Sequence, residues 1–183
     1  MGRSFSSQTR NIEKIDHSHR SLKSRKQRQM NLSDLIAPGA IIPALKTKSK
    51  TKVLQIVAEK AAELESVCEQ QVFNTILQRE KLGSTGVGNG VAIPHGQLEE
   101  IGKIFGVFAR LEHPVDFNAI DDQPVDLVFL LLAPENAGAD HLNALSRIAR
   151  FFRDPSFVKK LRHAQEIQTL YLFLTRSSSL TLL

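Results

Sequence analysis

The apolar run at residues 125–132 limits the folds open to this chain more than any other segment. Seven of its eight residues are apolar, Asp126 being the exception, and Ala133-Pro134 ends it. Successive strand residues point to opposite faces of a sheet, so a strand that is apolar throughout is typical of a sheet covered on both faces. The run therefore predicts a central strand in the core of the protein.

Apolar residues at helical spacing precede this strand. Ser49 is a candidate N-cap for a first helix, and a second helix is predicted over residues 69–82 with Gly83 as its terminator. Residues 40–45 predict a short edge strand and residues 103–111 predict a buried one. Strands that alternate with helices indicate a layered α/β domain.

Helices are also predicted after the central strand. Asp140 is a candidate N-cap, which places His141 in the first turn of a helix. Asp154-Pro155 predicts the start of a short helix, and residues 166–174 predict a last one. A histidine in a first turn is not explained by the helix dipole, which favours anions there. The backbone N–H groups at that end point at an incoming anion.

A glycine-rich segment at residues 82–96 ends in Ile-Pro-His-Gly. Its first four glycines alternate with small or polar residues, and residues 91–93 predict a short buried strand. Pro94 holds the preceding residue in the extended region. His95 is therefore predicted at the end of a strand, where its imidazole can meet another molecule. From these residues alone, an ordinary surface histidine after a tight turn is the alternative.

Two phosphate-binding templates fail in this segment. A phosphate loop requires a lysine and a hydroxyl residue after its last glycine, but Gly88 is followed by Asn89-Gly90. The dinucleotide fingerprint fails because Gly86, Gly88 and Gly90 have the wrong spacing. His17 and His19 form a short H-x-H that binds metal weakly at most, and the other four histidines show no metal-ligand spacing. No metal site and no cofactor are predicted.

Residues 79–86 (Arg-Glu-Lys-Leu-Gly-Ser-Thr-Gly) and residues 93–96 together resemble the active-site signature of enzyme IIA domains of the mannitol/fructose type. These domains belong to the phosphoenolpyruvate-dependent phosphotransferase system. The resemblance extends over residues 32–174, including Asp140-His141-Leu142, and is greatest to the free-standing nitrogen-type enzyme IIA. It implies one α/β domain at residues 30–176, with a small mixed β-sheet flanked by helices on both faces.

The resemblance also implies a mechanism. His95 accepts a phosphoryl group from an HPr-like histidine phosphocarrier, Arg79 offers forked donors to that group, and His141 donates to its oxygens. From the residues alone, an arginine that satisfies the end of its helix is the alternative for Arg79. A surrounding loop is expected to face the phosphate or the partner, with backbone amides as donors. This loop comprises Ser84, Thr85, Gly86, Gly88, Asn89, Gly90 and Gly96.

Three functions are open at this point. The first is a phosphohistidine carrier and regulator of the nitrogen-type phosphotransferase system, with regulatory proteins or a IIB domain as acceptors and no nucleic acid. The second is the enzyme IIA subunit of a fructose or mannitol transporter. The third is a binding module whose histidine is not phosphorylated. The active-site signature does not separate the first two, because both use the same chemistry.

The net charge of +5 is concentrated at the N-terminus. Residues 1–29 carry eight basic and two acidic side chains, whereas the remaining residues are nearly neutral. This composition predicts a disordered tail of the kind that binds nucleic acid or anionic membrane, or else a misplaced start ahead of Met30. Residues 177–183 are predicted to fray.

Composition favours the cytoplasm. No apolar run approaches the roughly 20 residues that span a bilayer, and the N-terminus lacks the apolar core of a secretory signal. A single cysteine, Cys68, excludes an internal disulfide and suits a reducing compartment; it is predicted to be a small buried residue. His113-Pro114 is predicted as an exposed turn and His163 as an exposed helix end.

Overall fold

Six strands form one mixed sheet in the computed structural model, which describes residues 32–176. The predicted tail at residues 1–29 and the predicted fraying at residues 177–183 lie outside the described residues. Neighbouring strands follow the order β1-β5-β6-β3-β2, and β4 also pairs with β6. The strands are β1 (Ile41–Leu45), β2 (Gly86–Gly88), β3 (Val91–Ala92), β4 (His95–Leu98), β5 (Phe105–Val115) and β6 (Val125–Pro134).

Six α-helices accompany the sheet within residues 32–176. They are α1 (Leu32–Leu35), α2 (Lys50–Glu65), α3 (Glu69–Lys81), α4 (Ala139–Phe152), α5 (Pro155–His163) and α6 (Ile167–Arg176). The side chain of Ser49 accepts a hydrogen bond from the Lys52 amide, so the predicted cap of α2 is confirmed. Asp154 likewise caps α5 by accepting from the Ser156 amide. These local signals succeed because a cap needs only a few neighbouring residues.

Strand β6 is the central strand that the apolar run predicted. It pairs with β5 on one side and with both β3 and β4 on the other. Its residues from Leu127 to Leu132 are fully buried. The predicted edge strand is confirmed as β1, which lies at one end of the sheet and pairs in parallel with β5.

Helices cover both faces of the sheet. On one face, the Phe152 ring of α4 lies 6.0 Å from the ring of Phe129 on β6. Leu132, three residues further along β6, points to the opposite face because strand side chains alternate. Gly96 is in register with Leu132 and lies against Thr75 of α3. The mixed sheet with two helical layers is therefore confirmed.

The sequence predicted that a strand ends at His95, whereas the chain stays in the sheet beyond this residue. Strand β3 pairs with β6 at Val91↔Leu127, and β4 continues at the same offset with His95↔Leu131. Pro94 interrupts the ladder without shifting its register, and its carbonyl accepts the Leu131 amide at 2.9 Å. The chain around His95 is therefore paired with β6 both before and after Pro94. This pairing fixes the His95 backbone more firmly than a strand end would.

Other predictions were wrong. Asp140 is not the N-cap of α4: Gly138 takes that place with φ at 51°, and Asp140 is the second residue of the helix. His113-Pro114 lies in the exposed part of β5 rather than in a turn, because this strand extends to Val115. Cys68 is exposed at the junction of α2 and α3 and is not buried.

Gly96 is required for α3 to approach β4, and its replacement tests this packing. A Cβ atom at Gly96 would lie 2.6 Å from the Thr75 Cγ2 atom, whereas one at Gly102 would meet nothing within 4 Å. We expect Gly96→Ala to lower the free energy of unfolding by about 1–3 kcal/mol, since it overpacks this contact. Urea denaturation measures the change. Gly102→Ala is the control, and equal stabilities of the two variants would contradict the packing.

Candidate active site

The hydrogen bonds of His95 fix the tautomer of its ring. Nδ1 lies 2.8 Å from the carbonyl oxygen of Ile93, which can only accept, so Nδ1 carries the proton. Nε2 accepts a hydrogen bond from Arg79 Nε at 3.0 Å, and a guanidinium can only donate. The ring is therefore neutral, with its free electron pair on Nε2. An imidazole in this state is a nucleophile, and the half-buried His95 side chain reaches the protein surface.

His141 lies beside this ring. The register of β4 turns His95 toward the face of the sheet that α4 covers, and His141 is the third residue of α4. The two imidazole rings meet edge to face, with centroids 5.9 Å apart. His141 is 8% exposed, and its Nε2 atom is buried without a hydrogen-bond partner in residues 32–176. Such an atom is costly unless a ligand supplies the partner.

Arg79 reaches the site from the other helical layer. It lies in the last turn of α3, where a cation also suits the helix dipole. Its Nη1 donates to the Gly83 carbonyl at 3.0 Å while its Nε donates to His95. The structure thus brings together His95, His141 and Arg79 from three separate segments of the chain.

The predicted loop is engaged within the protein. Thr85 N donates to the Glu80 carboxylate at 3.1 Å, Gly86 N donates to Ser84 Oγ at 3.1 Å, and Ser84 Oγ donates to Phe117 O at 2.5 Å. These contacts occupy three donors of the predicted loop in the resting protein. The expected role of the loop, to face the phosphate or the partner, stays a prediction.

The rest of the loop builds a hairpin and a packing contact. Asn89 and Gly90 turn β2 into β3 with φ at 55° and 74°, and the Asn89 amide donates to Asp121 at 2.8 Å. Gly88 pairs with Val91 across this hairpin. Gly96 serves the contact with α3 described above. A hairpin and a phosphate-binding arc need the same residue types, so the sequence alone does not separate the two.

Sequence reasoning also missed a buried ion pair beside the site. Glu80 is 7% exposed, and its carboxylate lies 2.6 Å from Lys50 Nζ. The signal was present, because Glu80 follows Val72 and Ile76 at a spacing of four on the buried face of α3. A carboxylate in such an apolar row needs a partner.

Both histidines favour the neutral state. Burial lowers the pKa of His95 below its ordinary value of 6.5, and the charges of Arg79 and His141 lower it further; the Ile93 carbonyl and Glu80 oppose this shift. Burial also lowers the pKa of His141. The site therefore holds one permanent cation and two neutral imidazoles near pH 7, which suits a nucleophile for an anionic group.

In residues 32–176, no group of three or more histidine, cysteine or acidic side chains is placed to hold a metal ion. No helix in the same residues combines the length and the apolar character needed to cross a membrane.

Comparison with known families gives one match over nearly all of the described chain. Residues 34–177 match the family described as the phosphoenolpyruvate-dependent sugar phosphotransferase system, EIIA 2. The chain belongs to this family. It is therefore a component of a phosphotransferase system, and its signature segment, its two histidines and Arg79 all lie inside the matched region.

Two relatives with high similarity to this chain are nitrogen regulatory proteins. A nitrogen regulatory protein of Bradyrhizobium diazoefficiens is 61% identical over 142 residues, covering 78% of this chain and 93% of that protein. The crystal structure of nitrogen regulatory protein IIA-Ntr from Neisseria meningitidis superimposes with a TM-score of 0.75 at 35% identity, covering 79% of this chain and 99% of that one.

A mannitol enzyme shares the fold. Escherichia coli enzyme IIA for mannitol, solved in complex with its phosphorylated enzyme IIB, gives a TM-score of 0.65 at 24% identity, covering 76% of this chain and 96% of that one.

The lowered histidine pKa values can be measured directly. We expect the His95 imidazole to titrate by NMR with a midpoint below the ordinary 6.5, because burial disfavours its charged form. The unfolded chain then binds these protons more readily than the folded one, so stability is full above about pH 6.5 and falls as the pH drops below it. A His95 midpoint above 6.5, or stability that rises on acidification through this range, would contradict the assignment.

Proposed function

We propose that this protein is a phosphohistidine carrier and regulator of the nitrogen-type phosphotransferase system. His95 accepts the phosphoryl group from an HPr-like histidine phosphocarrier. One observation carries the proposal: the electron pair of His95 Nε2 faces Arg79, beside the unpartnered Nε2 atom of His141. This arrangement supplies a neutral nucleophile, a fixed cation and a spare polar group at one place.

The transfer is an in-line exchange between two imidazoles. The electron pair on His95 Nε2 forms a new N–P bond while the donor's N–P bond breaks and its electrons return to the donor imidazole. The proton on Nδ1 stays in place, because the Ile93 carbonyl holds it. That hydrogen bond strengthens as the ring gains positive charge. Catalysis then consists of positioning and charge stabilisation, with no proton to remove from the nucleophile.

Arg79 has to release the nucleophile before the transfer. Its Nε–H group occupies the same electron pair that attacks phosphorus, so this hydrogen bond breaks when the donor docks. The guanidinium remains tied to the Gly83 carbonyl through Nη1 and stays close to the new phosphate. Its planar donors match phosphoryl oxygens well, which a lysine ammonium does not.

His141 completes the phosphate site. A neutral imidazole with its proton on Nε2 donates one hydrogen bond, and in the resting protein this buried atom has no partner within residues 32–176. Leaving a buried polar group unsatisfied costs about 1–3 kcal/mol. A phosphoryl oxygen removes that cost, so the transfer gains stabilisation that the ground state lacks.

The regulatory role is favoured over sugar transport. The Bradyrhizobium relative at 61% identity and the Neisseria structure at 35% identity both bear the name nitrogen regulatory protein, while the mannitol enzyme at 24% identity shares the fold alone. We propose that the enzyme IIA domain spans residues 30–176 and acts in the cytoplasm, where the single cysteine suits a reducing environment. Regulatory proteins or a IIB domain are the proposed acceptors. A binding module without phosphorylation would have no use for the fixed tautomer.

Phosphoryl transfer to three histidine variants tests this function. The protein is incubated with labelled phosphoenolpyruvate, the first enzyme of the system and the phosphocarrier. We expect acid-labile, base-stable label on the wild type and none on His95→Ala. His141→Ala should be labelled about a hundredfold more slowly, as for the loss of one transition-state donor. His163→Ala is the control at the exposed end of α5 and should match the wild type.

Two results would contradict the function. Label on His95→Ala would place the phosphate elsewhere, and an unlabelled wild type would favour the binding module. An unchanged rate in His141→Ala would remove His141 from the site while leaving the carrier function intact.

A further inference from the structure

A carboxylate lies in the core next to the phosphoryl site, and the transfer described above does not use it. Three polar side chains are buried in the described part of the chain: Glu80, Thr85 and His141. The first two form one cluster with Lys50, which stands at the start of α2. A lysine is disfavoured in the first turn of a helix, so its place there is explained by this partner.

Both carboxylate oxygens of Glu80 contact donors on neighbouring groups. Its two oxygens each accept the Thr85 amide at 3.1 Å, and one of them also accepts the Thr85 hydroxyl. Lys50 Nζ lies 2.6 Å from the other oxygen and donates to the Phe117 carbonyl at 2.8 Å. The carboxylate therefore ties the chain after α3 to the beginning of α2.

This cluster controls the position of a short turn. The segment from Gly83 to Thr85 is held at one end by Glu80 and in its middle by the Ser84 hydroxyl, which donates to the Phe117 carbonyl at 2.5 Å. The same Phe117 oxygen accepts Lys50. The turn is thus anchored through two side chains to one fixed carbonyl.

The Gly83–Thr85 turn, in its observed position, holds the Arg79 side chain. The Gly83 carbonyl accepts Arg79 Nη1 at 3.0 Å, and Arg79 Nε then points at the nucleophilic nitrogen of His95. A shift of the turn moves the guanidinium directly. Stability is a weak reason for such a buried ion pair, since apolar side chains of similar volume often serve as well. The position of the Gly83–Thr85 turn, which the ion pair fixes, is the better explanation of the pair's geometry.

We propose that Glu80, with Lys50 as its counter-ion, is a positioning residue for phosphoryl transfer to His95. It acts through the Gly83–Thr85 turn on Arg79 and touches neither the phosphate nor the nucleophile. The inference deepens the proposed function and rests on it. It assigns to the ion pair between the start of α2 and the end of α3 a role in catalysis that is separate from packing.

The test is a double-mutant cycle between Glu80→Gln and Arg79→Lys. Glutamine keeps the size of the side chain but loses the charge, so it leaves Lys50 without its counter-ion. Glu63→Gln is the matched control, because Glu63 pairs with Lys60 at 2.8 Å on the exposed side of α2. Rates of phosphoryl acceptance are measured over a range of donor concentrations, and the ¹⁵N shift of His95 Nε2 is measured in the unphosphorylated protein.

We expect Glu80→Gln to lower the saturating rate about tenfold or more with little change in the KM for the donor, since misplaced groups cost transition-state stabilisation. In the Arg79→Lys background the same change should cost less than about twofold, because the two residues act through one contact. The His95 Nε2 shift should move in Glu80→Gln, as the Arg79 hydrogen bond loosens, and not in Glu63→Gln.

Rate losses that multiply in the double variant, or a His95 shift equal to that of the wild type, would overturn the proposal. If Glu80→Gln fails to fold, Thr85→Val has nearly the same shape as the native residue and removes only the hydroxyl. It should show the same shift of His95 to a smaller extent, and an unchanged shift there would also overturn the proposal. Failure of the proposed function looks different: the wild type itself would remain unlabelled, while the ¹⁵N shifts would still report on Arg79.

Discussion

The hydrogen bond from His95 Nδ1 to the Ile93 carbonyl is the contact on which the rest of the site depends. A carbonyl oxygen cannot donate, so this bond places the proton on Nδ1 and the electron pair on Nε2. The Ile93 carbonyl is itself fixed, because the segments on either side of it, β3 and β4, both pair with β6 at the same offset. Because the central strand fixes the position of this carbonyl, it also fixes the tautomer of the His95 imidazole.

The two helical layers complete the site from opposite sides. Arg79 comes from α3 on one face of the sheet and His141 from α4 on the other, and both reach β4. Burial keeps the two imidazoles neutral, so the arginine supplies the only positive charge among these three side chains. An incoming phosphoryl group meets one cation and one unsatisfied polar atom.

Much of this arrangement was predictable from short stretches of sequence. The central strand and the Ser49 cap each follow from a few neighbouring residues, while the resemblance to enzyme IIA domains singled out His95. Asp140 misled because Gly138, which can take a positive φ, starts the helix earlier. The sequence did not reveal that the Ser84 hydroxyl donates to the Phe117 carbonyl, which lies 33 residues away in the chain. Tertiary contacts of this kind leave little trace in a single sequence.

The nitrogen that carries the phosphate tests the central claim most directly. Transfer to the ¹⁵N-labelled protein, followed by ³¹P–¹⁵N correlation, identifies which ring atom of His95 is bonded to phosphorus. The fixed tautomer predicts the bond at Nε2, with the Nδ1 proton still held by the Ile93 carbonyl. A phosphate on Nδ1 would require that hydrogen bond to break and would contradict the account.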